Sequence, residues 1–151
     1  MTRDVTDFPR THRLGRIDVV TLDDTAALSQ DVALDIEEVQ AAWPAFENSF
    51  DSLQGRRMMG LVYGGSDRYR MASVRLDRDA DNPLGLDETV IPGGDYLRLR
   101  LRGEAPGVYA RIGDAFEVLF DLADYDESRP HVEHYRREGE VDCLVPVRSP
   151  S

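Results

Sequence analysis

One carboxylate in this sequence stands where a binding or catalytic group would be expected. Glu133 lies in the strand-like run HVEHY, and strand alternation places its side chain on the same face as His131 and Tyr135. If that face borders an apolar cleft, burial would raise the pKa of the carboxyl group and a nearby cation would lower it. Such a group would select cationic ligands, or it would give or accept a proton. A solvated strand carboxylate is the competing interpretation.

Aromatic residues are predicted to accompany Glu133, because the elements that carry them should border the same groove. Aromatic rings stack on flat or cationic ligands, and a buried tyrosine hydroxyl needs a hydrogen-bond partner. For each ring the alternative is that it only packs in the core, and for Phe46 core packing is the stronger interpretation. The predicted ligand-binding set, besides Glu133, is Trp43, Phe46, Tyr63, Tyr96 and Tyr135.

Other site chemistries lack the residues that they need. His131 and His134 are three apart on a strand, so their rings should point to opposite faces and no metal site is expected. The sequence has no G-x-S-x-G elbow and no phosphate-binding glycine loop, and no cofactor is expected. Cys143 is the single cysteine, so no internal disulfide is possible, and its apolar strand favours a buried thiol.

Charge restricts the class of partner. The 151 residues include 29 acidic and 18 basic ones, all of the latter arginine, for a net charge of −11. Direct nucleic-acid binding is not expected, because its affinity comes mainly from cations on phosphates. The surplus acid would attract cationic ligands or only keep the protein soluble. No membrane span or signal peptide is evident, and a cytoplasmic protein is predicted.

The elements that must position these residues follow the order strand, helix, strand, strand twice. We predict repeats at about 15–77 and 88–148, with 1–14 as a flexible arm and 149–151 as a tail. Neither repeat could close a core alone, because each offers three strands and one helix with an exposed apolar face. The prediction is one α+β domain, 15–148, built from a duplicated β-α-β-β unit. Its mostly antiparallel sheet carries two main helices on one face, with a ligand groove between them.

Local signals set the expected bounds of the first helix. From residue 32 onward, apolar residues recur at steps of three and four, which predicts one helical face. Asp31 is predicted to cap the helix, Gly55 to end it and Pro44 to kink or break it. The stretch 22–31 is predicted to be a turn-rich connection.

Several stretches of the second half resemble a known family. They are similar to the strands and the second helix of the GyrI-like small-molecule-binding domain. That family also supplies the effector-binding domains of Rob- and BmrR-type transcription regulators and the DNA gyrase inhibitory protein. The first half is similar more weakly, and the resemblance covers about 15–148. The matching stretches are VIPGGDY (90–96), IGDAFEVLF (112–120), HVEHY (131–135), CLVPV (143–147) and, in the first half, GLVYGG (60–65) with the Trp43 helix.

The resemblance implies a cleft for hydrophobic, planar and often cationic compounds, with Glu133 pointing into it. The few residues before the first strand predict a stand-alone form without a DNA-binding segment. Three functions stay open. In the first, the protein only binds a ligand. In the second, it hydrolyses cyclopropane-bearing DNA-alkylating natural products, with Glu133 as the catalytic residue and a cleft tyrosine assisting. As the third possibility, it would act on a protein partner such as gyrase or a regulator.

Overall fold

A computed structural model describes residues 8–148 of the chain. The predicted tail, 149–151, and residues 1–7 of the predicted arm lie outside the described residues, while Arg10–His12 within that arm forms a short strand. No helix of the described part is long and apolar enough to cross a membrane. The helices are α1 (Ile36–Asn48) and α2 (Ile112–Leu122), and the strands are β1 (Arg10–His12), β2 (Gly15–Leu22), β3 (Thr25–Ala33), β4 (Met58–Val62), β5 (Arg68–Val74), β6 (Asp87–Ile91), β7 (Gly94–Arg102), β8 (His131–Arg137) and β9 (Glu140–Pro146).

The nine strands form one sheet in the order β1-β2-β7-β9-β8-β4-β5-β3-β6, and every neighbouring pair is antiparallel. The predicted α+β class, a mostly antiparallel sheet with two helices, is confirmed. Outward from the central β8–β4 pair, the order is β9, β7, β2 on one side and β5, β3, β6 on the other, with β1 as an additional edge strand beyond β2. This symmetry supports a duplicated unit in which the two halves exchange their first strands. The repeat boundaries stay a prediction.

Two short links make the sheet curve. β2 and β3 lie near opposite ends of the strand order, yet only residues 23–24 join them, and residues 92–93 join β6 to β7 in the same way. The backbone N–H of Gly93 donates to the Asp24 carboxylate at 2.6 Å. Links of this length span about 10 Å at most, so the two ends of the sheet approach each other. The sheet therefore wraps around one face and encloses an apolar cluster that includes Tyr96.

Both helices pack on the other face. α1 lies over β3 and β5, and α2 lies over β7 and β9. Val62 of β4 packs in the cluster under α1, while His131, its partner across the β4–β8 ladder, packs against Phe116 of α2 at 4.7 Å. Paired residues of adjacent strands share a face, so β4 and β8 floor the space between the helices. We call this space the central groove.

The first half departs from the local sequence signals. The connection predicted at 22–31 is wrong, because pairing with β5 and β6 on both sides makes Thr25–Ala33 a strand. Asp31 is therefore no helix cap and instead pairs with Arg70 at 2.7 Å. Asp35 caps α1 by accepting two backbone N–H groups, at 3.0 and 3.2 Å.

The end of α1 also differs from the prediction. The helix stops at Asn48 with Ser49 as its C-cap, well before Gly55. Pro44 lies inside α1 without breaking it, since the hydrogen bond that proline cannot make falls on the exposed side of the helix at Gln40. In the second half, α2 contains the helix-like stretch 112–120 and β8 contains the strand-like run 131–135, as predicted.

Candidate functional site

Glu133 lies in the middle of the floor of the central groove. It stands opposite Gly60 in the β4–β8 ladder and opposite Cys143 in the β8–β9 ladder. Its side chain is half-buried and shares the helix-bearing face with His131 and Tyr135. Because β4 and β8 carry no helix directly above them, this carboxylate sits at the join of the two halves of the molecule.

Two tyrosine hydroxyls donate to the same oxygen of this carboxylate. The hydroxyl of Tyr69 lies 2.7 Å from Oε1 of Glu133, and the hydroxyl of Tyr135 lies 2.6 Å from it. The indole N–H of Trp43 donates to the Tyr69 oxygen at 3.3 Å. A chain of hydrogen bonds thus runs from α1 through β5 to β8, and each donor in it strengthens the next.

Gly60 makes room for this network. A Cβ atom at position 60 would collide with the Tyr69 hydroxyl and would lie 2.9 Å from Oε1 of Glu133. A glycine inside a strand often marks such a close approach. The side chain that Gly60 lacks is therefore a condition for the contact between Tyr69 and Glu133.

Aromatic rings enclose the carboxylate from both sides of the groove. Trp43 of α1 makes edge-to-face contacts with Tyr135 and Tyr69, at centroid distances of 5.5 and 6.2 Å. Tyr109, just before α2, lies 6.2 Å from Tyr135. These rings occupy the groove above Glu133, and a ligand there would meet aromatic faces around one negative charge.

No cation of the chain neutralises this charge in the described part. Among residues 8–148, no arginine or histidine nitrogen lies within the 4.0 Å of a salt bridge to Glu133. Burial, together with the Glu133 charge, raises the pKa of Tyr69 and of Tyr135, so both hydroxyls keep their protons and remain donors. Burial also raises the pKa of the Cys143 thiol, which makes this residue unsuited to act as a nucleophile.

The structure brings Trp43 and Tyr135 of the predicted set to Glu133. Phe46 is 1% exposed and lies behind the indole at 5.9 Å, in the core under α1. It supports Trp43 and does not face the carboxylate directly.

Tyr63 and Tyr96 are not brought to Glu133. Tyr96 is fully buried in the enclosed face of the sheet, where its hydroxyl donates to the carbonyl of Pro92 at 2.6 Å. Tyr63 follows β4 two residues after Leu61, which also packs in the enclosed cluster, so alternation places it on that same face. A role in ligand binding stays a prediction for both.

Sequence reasoning missed Tyr69 and Gly60. Tyr69 reaches Glu133 across two ladders, from β5 past β4 to β8, and this contact depends on strand order and register. The available signal was the isolated glycine inside the β4 pattern, which indicates that another group approaches the backbone closely.

Comparison with known proteins identifies the fold but no close relative. No protein-family profile matches the sequence, and no curated protein matches it. An integron cassette protein from the mobile metagenome of Vibrio cholerae has a TM-score of 0.69 at 15% identity, over 87% of this chain and 95% of its own. SAV2435, solved with bound tetraphenylphosphonium, has a TM-score of 0.63 at 13% identity, over 88% and 94%. A hydrolase from Listeria innocua has a TM-score of 0.53 at 12% identity, over 95% and 96%. The chain shares its fold with all three.

Proposed function

We propose that this protein is a GyrI-like ligand-binding protein whose central groove takes small hydrophobic, planar or cationic molecules, with Glu133 as the polar anchor. The observation that carries the proposal is the state of Glu133. It is a half-buried carboxylate that neutral hydroxyls hold in place and that has no cationic partner within residues 8–148.

The physical chemistry of the groove favours a cation. A carboxylate removed from water gains most from an opposite charge placed beside it. The faces of tryptophan and tyrosine also attract cations, and they do so more strongly where water is excluded. The structure of SAV2435 with tetraphenylphosphonium supports the choice of a lipophilic, aromatic cation as the first probe.

Ligand entry requires that the rings above Glu133 move. α1 is the element best able to allow this, since Phe46 is its one buried residue. Trp43 is carried by that helix and is the only tryptophan of the chain, so its fluorescence reports on the site without added label. Displacement of the indole would also break its hydrogen bond to Tyr69 and change its emission.

The test is a titration with tetraphenylphosphonium, followed by calorimetry and by Trp43 fluorescence. Glu133→Gln keeps the shape of the side chain and removes its charge, and we expect the affinity to fall at least about tenfold, or about 1.4 kcal/mol. Glu117→Gln on the exposed face of α2 is the matched control, because it changes the net charge equally and leaves the groove intact. Equal affinity of the wild type and Glu133→Gln would refute the proposal.

A second candidate function is hydrolysis of a strained, cyclopropane-bearing electrophile. The shared fold of the Listeria innocua hydrolase favours it, and the groups that it needs are the same. Glu133 would act as general base or acid, and Tyr69 or Tyr135 would donate a proton or hydrogen bond. Conversion of such a substrate, followed by chromatography and abolished in Glu133→Ala, would establish turnover. Binding of the same compound without conversion would leave the ligand-binding function alone.

A further inference from the structure

A second cleft, of about 600 Å³, lies at the far end of the sheet and is lined mainly by arginine. Seven of its eleven lining residues are arginines and one is acidic, whereas acidic residues outnumber arginines 29 to 18 in the whole sequence. A volume of this size suits a small molecule. We call it the arginine cleft; six of its arginines are Arg13 and Arg16 around the β1–β2 turn, Arg100 and Arg102 of β7, and Arg136 and Arg137 at the end of β8.

The arginine cleft is separate from the central groove. Leu99 pairs with Cys143 and Cys143 with Glu133, so these three side chains share the helix-bearing face. Arg100 and Arg102 alternate with the leucines of β7 and therefore point to the opposite face. None of the residues that line the arginine cleft contacts Glu133 by a hydrogen bond or belongs to the rings around it.

Close approaches of the backbone assemble the arginine cleft. A Cβ atom at Gly15 would collide with the carbonyl oxygen of Arg100, so this glycine lets the β1–β2 turn lie against β7. A Cβ atom at Gly103 would collide with the guanidinium of Arg111, the seventh arginine, which donates to the carbonyl of Arg102 at 3.0 Å. Substitution at Gly15 would push the β1–β2 turn away from β7, whereas substitution at Gly103 would only require the Arg111 side chain to shift.

Gly139 allows a similar close approach of two backbone segments at the β8–β9 turn. Its φ is +81°, which glycine adopts without strain, and a Cβ atom there would collide with the carbonyl oxygen of Gly103. The backbone N–H of Gly103 donates to the carbonyl of Gly139 at 3.0 Å. The turn that carries Arg137 is thereby fixed to the end of β7.

The carboxylates of the cleft do not balance its arginines. Asp142 is 1% exposed and lies 3.0 Å from Arg102, 3.3 Å from Arg136 and 3.5 Å from Arg100. Glu140 contacts Arg102 and, at 3.0 Å, Arg137. Among residues 8–148, the seven guanidiniums of the cleft have only these two carboxylates as salt-bridge partners, an excess of five positive charges, although the net charge of the protein is −11.

The pairing of β2 with β7 places two of these arginines directly opposite each other. Arg16 stands directly opposite Arg100, while two residues along the same ladder Asp18 stands opposite Arg98 and forms a salt bridge at 2.7 Å. Like charges directly opposite each other destabilise an antiparallel pair. The buried Nε of Arg100 makes no hydrogen bond within residues 8–148, and its salt-bridge partner, Oδ1 of Asp142, lies 3.5 Å away. The fold therefore tolerates an arrangement that a bound anion would relieve.

We propose that the arginine cleft binds a small polyanion that carries two or three phosphate groups. Guanidiniums present paired N–H donors that match phosphate oxygens, and such charge-assisted bonds are the strong ones. A small anion senses the local excess, because charges beyond about 8 Å are screened at physiological salt. A nucleic-acid strand would instead extend over the acidic remainder of the surface.

The test uses inorganic tripolyphosphate as the probe, with the full chain and isothermal calorimetry in low and in physiological salt. We expect tripolyphosphate to bind at least about tenfold more tightly than orthophosphate, and its affinity to fall as salt rises. The triple variant Arg13→Gln, Arg16→Gln and Arg137→Gln removes three exposed cleft charges and should lose at least about tenfold in affinity. Because it also removes the repulsion between Arg16 and Arg100, its thermal stability should be unchanged or higher.

Two controls separate this site from a general charge effect. Arg57→Gln, Arg68→Gln and Arg148→Gln remove the same charge from exposed positions outside the cleft and should change the affinity by less than about twofold. Glu133→Gln should leave tripolyphosphate binding intact, which keeps this test independent of the central groove. The proposal is overturned if tripolyphosphate does not bind, if both triple variants lose affinity equally, or if a single-stranded oligonucleotide binds more tightly than tripolyphosphate.

Discussion

Asp79 and Glu133 are two carboxylates that this fold takes out of bulk water and treats in opposite ways. Asp79 is 4% exposed, accepts two hydrogen bonds from Arg56 at 2.8 Å each, and accepts the backbone N–H of Leu76 at 3.0 Å. Glu133 receives two neutral hydroxyls on one oxygen, and no guanidinium of residues 8–148 pairs with it. Arg56 neutralises the charge of Asp79, whereas no cation of the described residues pairs with Glu133.

The difference separates a carboxylate paired within the chain from one that we propose binds a ligand. The hydrogen bond from Arg56 holds the pKa of Asp79 down at about 2, below its ordinary value. A depressed pKa in the folded state stabilises the fold above the ordinary pKa, and that contribution disappears as the pH falls toward 2. Glu133 has hydroxyl partners but no such cationic partner within residues 8–148, and it lies on the floor of the central groove.

The largest expected effect comes from breaking the structural pair. Arg56→Met keeps the length of the side chain but leaves Asp79 buried and unpaired, and should lower the free energy of unfolding by about 3–5 kcal/mol in urea denaturation. Glu133→Gln should change the same quantity by less than about 1 kcal/mol, since the amide oxygen still accepts both hydroxyls. If Glu133→Gln were as destabilising as Arg56→Met, the contrast between the two carboxylates would be wrong.

A smaller loss is expected when the room around Glu133 is filled. Gly60→Ala forces the Tyr69 hydroxyl aside, and overpacking of this kind costs about 1–3 kcal/mol. Gly113→Ala in α2 is the matched control: nothing lies near its Cβ position, and alanine should stabilise that helix by up to about 1 kcal/mol. Thermal denaturation of the two variants should therefore shift in opposite directions, and a shift in the same direction would contradict the close packing at Gly60.

Removal of the hydroxyl from Tyr69 and from Tyr135 should lower the free energy of unfolding by modestly different amounts. Tyr135→Phe removes one hydrogen bond to Glu133, whereas Tyr69→Phe also removes the acceptor of the Trp43 N–H, so the losses should be about 1 and about 2 kcal/mol. The emission of Trp43 should shift more in Tyr69→Phe. Identical spectra and stabilities for the two variants would argue against the chain of hydrogen bonds from α1 to β8.

The smallest effect concerns pH. Burial lowers the pKa of His131 to about 4, so the unfolded chain takes up its proton first and stability should fall as the pH drops from about 6.5 to about 4. His131→Phe should flatten this slope, leaving the part due to His134, whose pKa burial also lowers to about 4. Urea denaturation at several pH values measures this dependence of stability on pH. An unchanged slope in His131→Phe would show that the ring is not protected by Phe116 and Phe120.

Local patterns were reliable where an element's own residues carry its signal. α2 and β8 were predicted because their apolar periods are regular and no competing turn residues interrupt them. β3 was missed because its sequence, TAALSQDVA, alternates weakly and becomes a strand through ladders to β5 and β6 that are distant in sequence. The interpretation of Asp31 as a helix cap failed for the same reason.

The sequence by itself determined the α+β class, the position of Glu133 on a strand face with Tyr135, and the aromatic character of α1 at Trp43. These follow from periodicity and residue type, which act over a few residues. Tertiary structure decided which groups meet: Tyr69 and Gly60 at Glu133, Tyr96 on the opposite face, and scattered arginines gathered in one cleft. The reason is that strand order and register join residues far apart in sequence, and no local pattern carries that information.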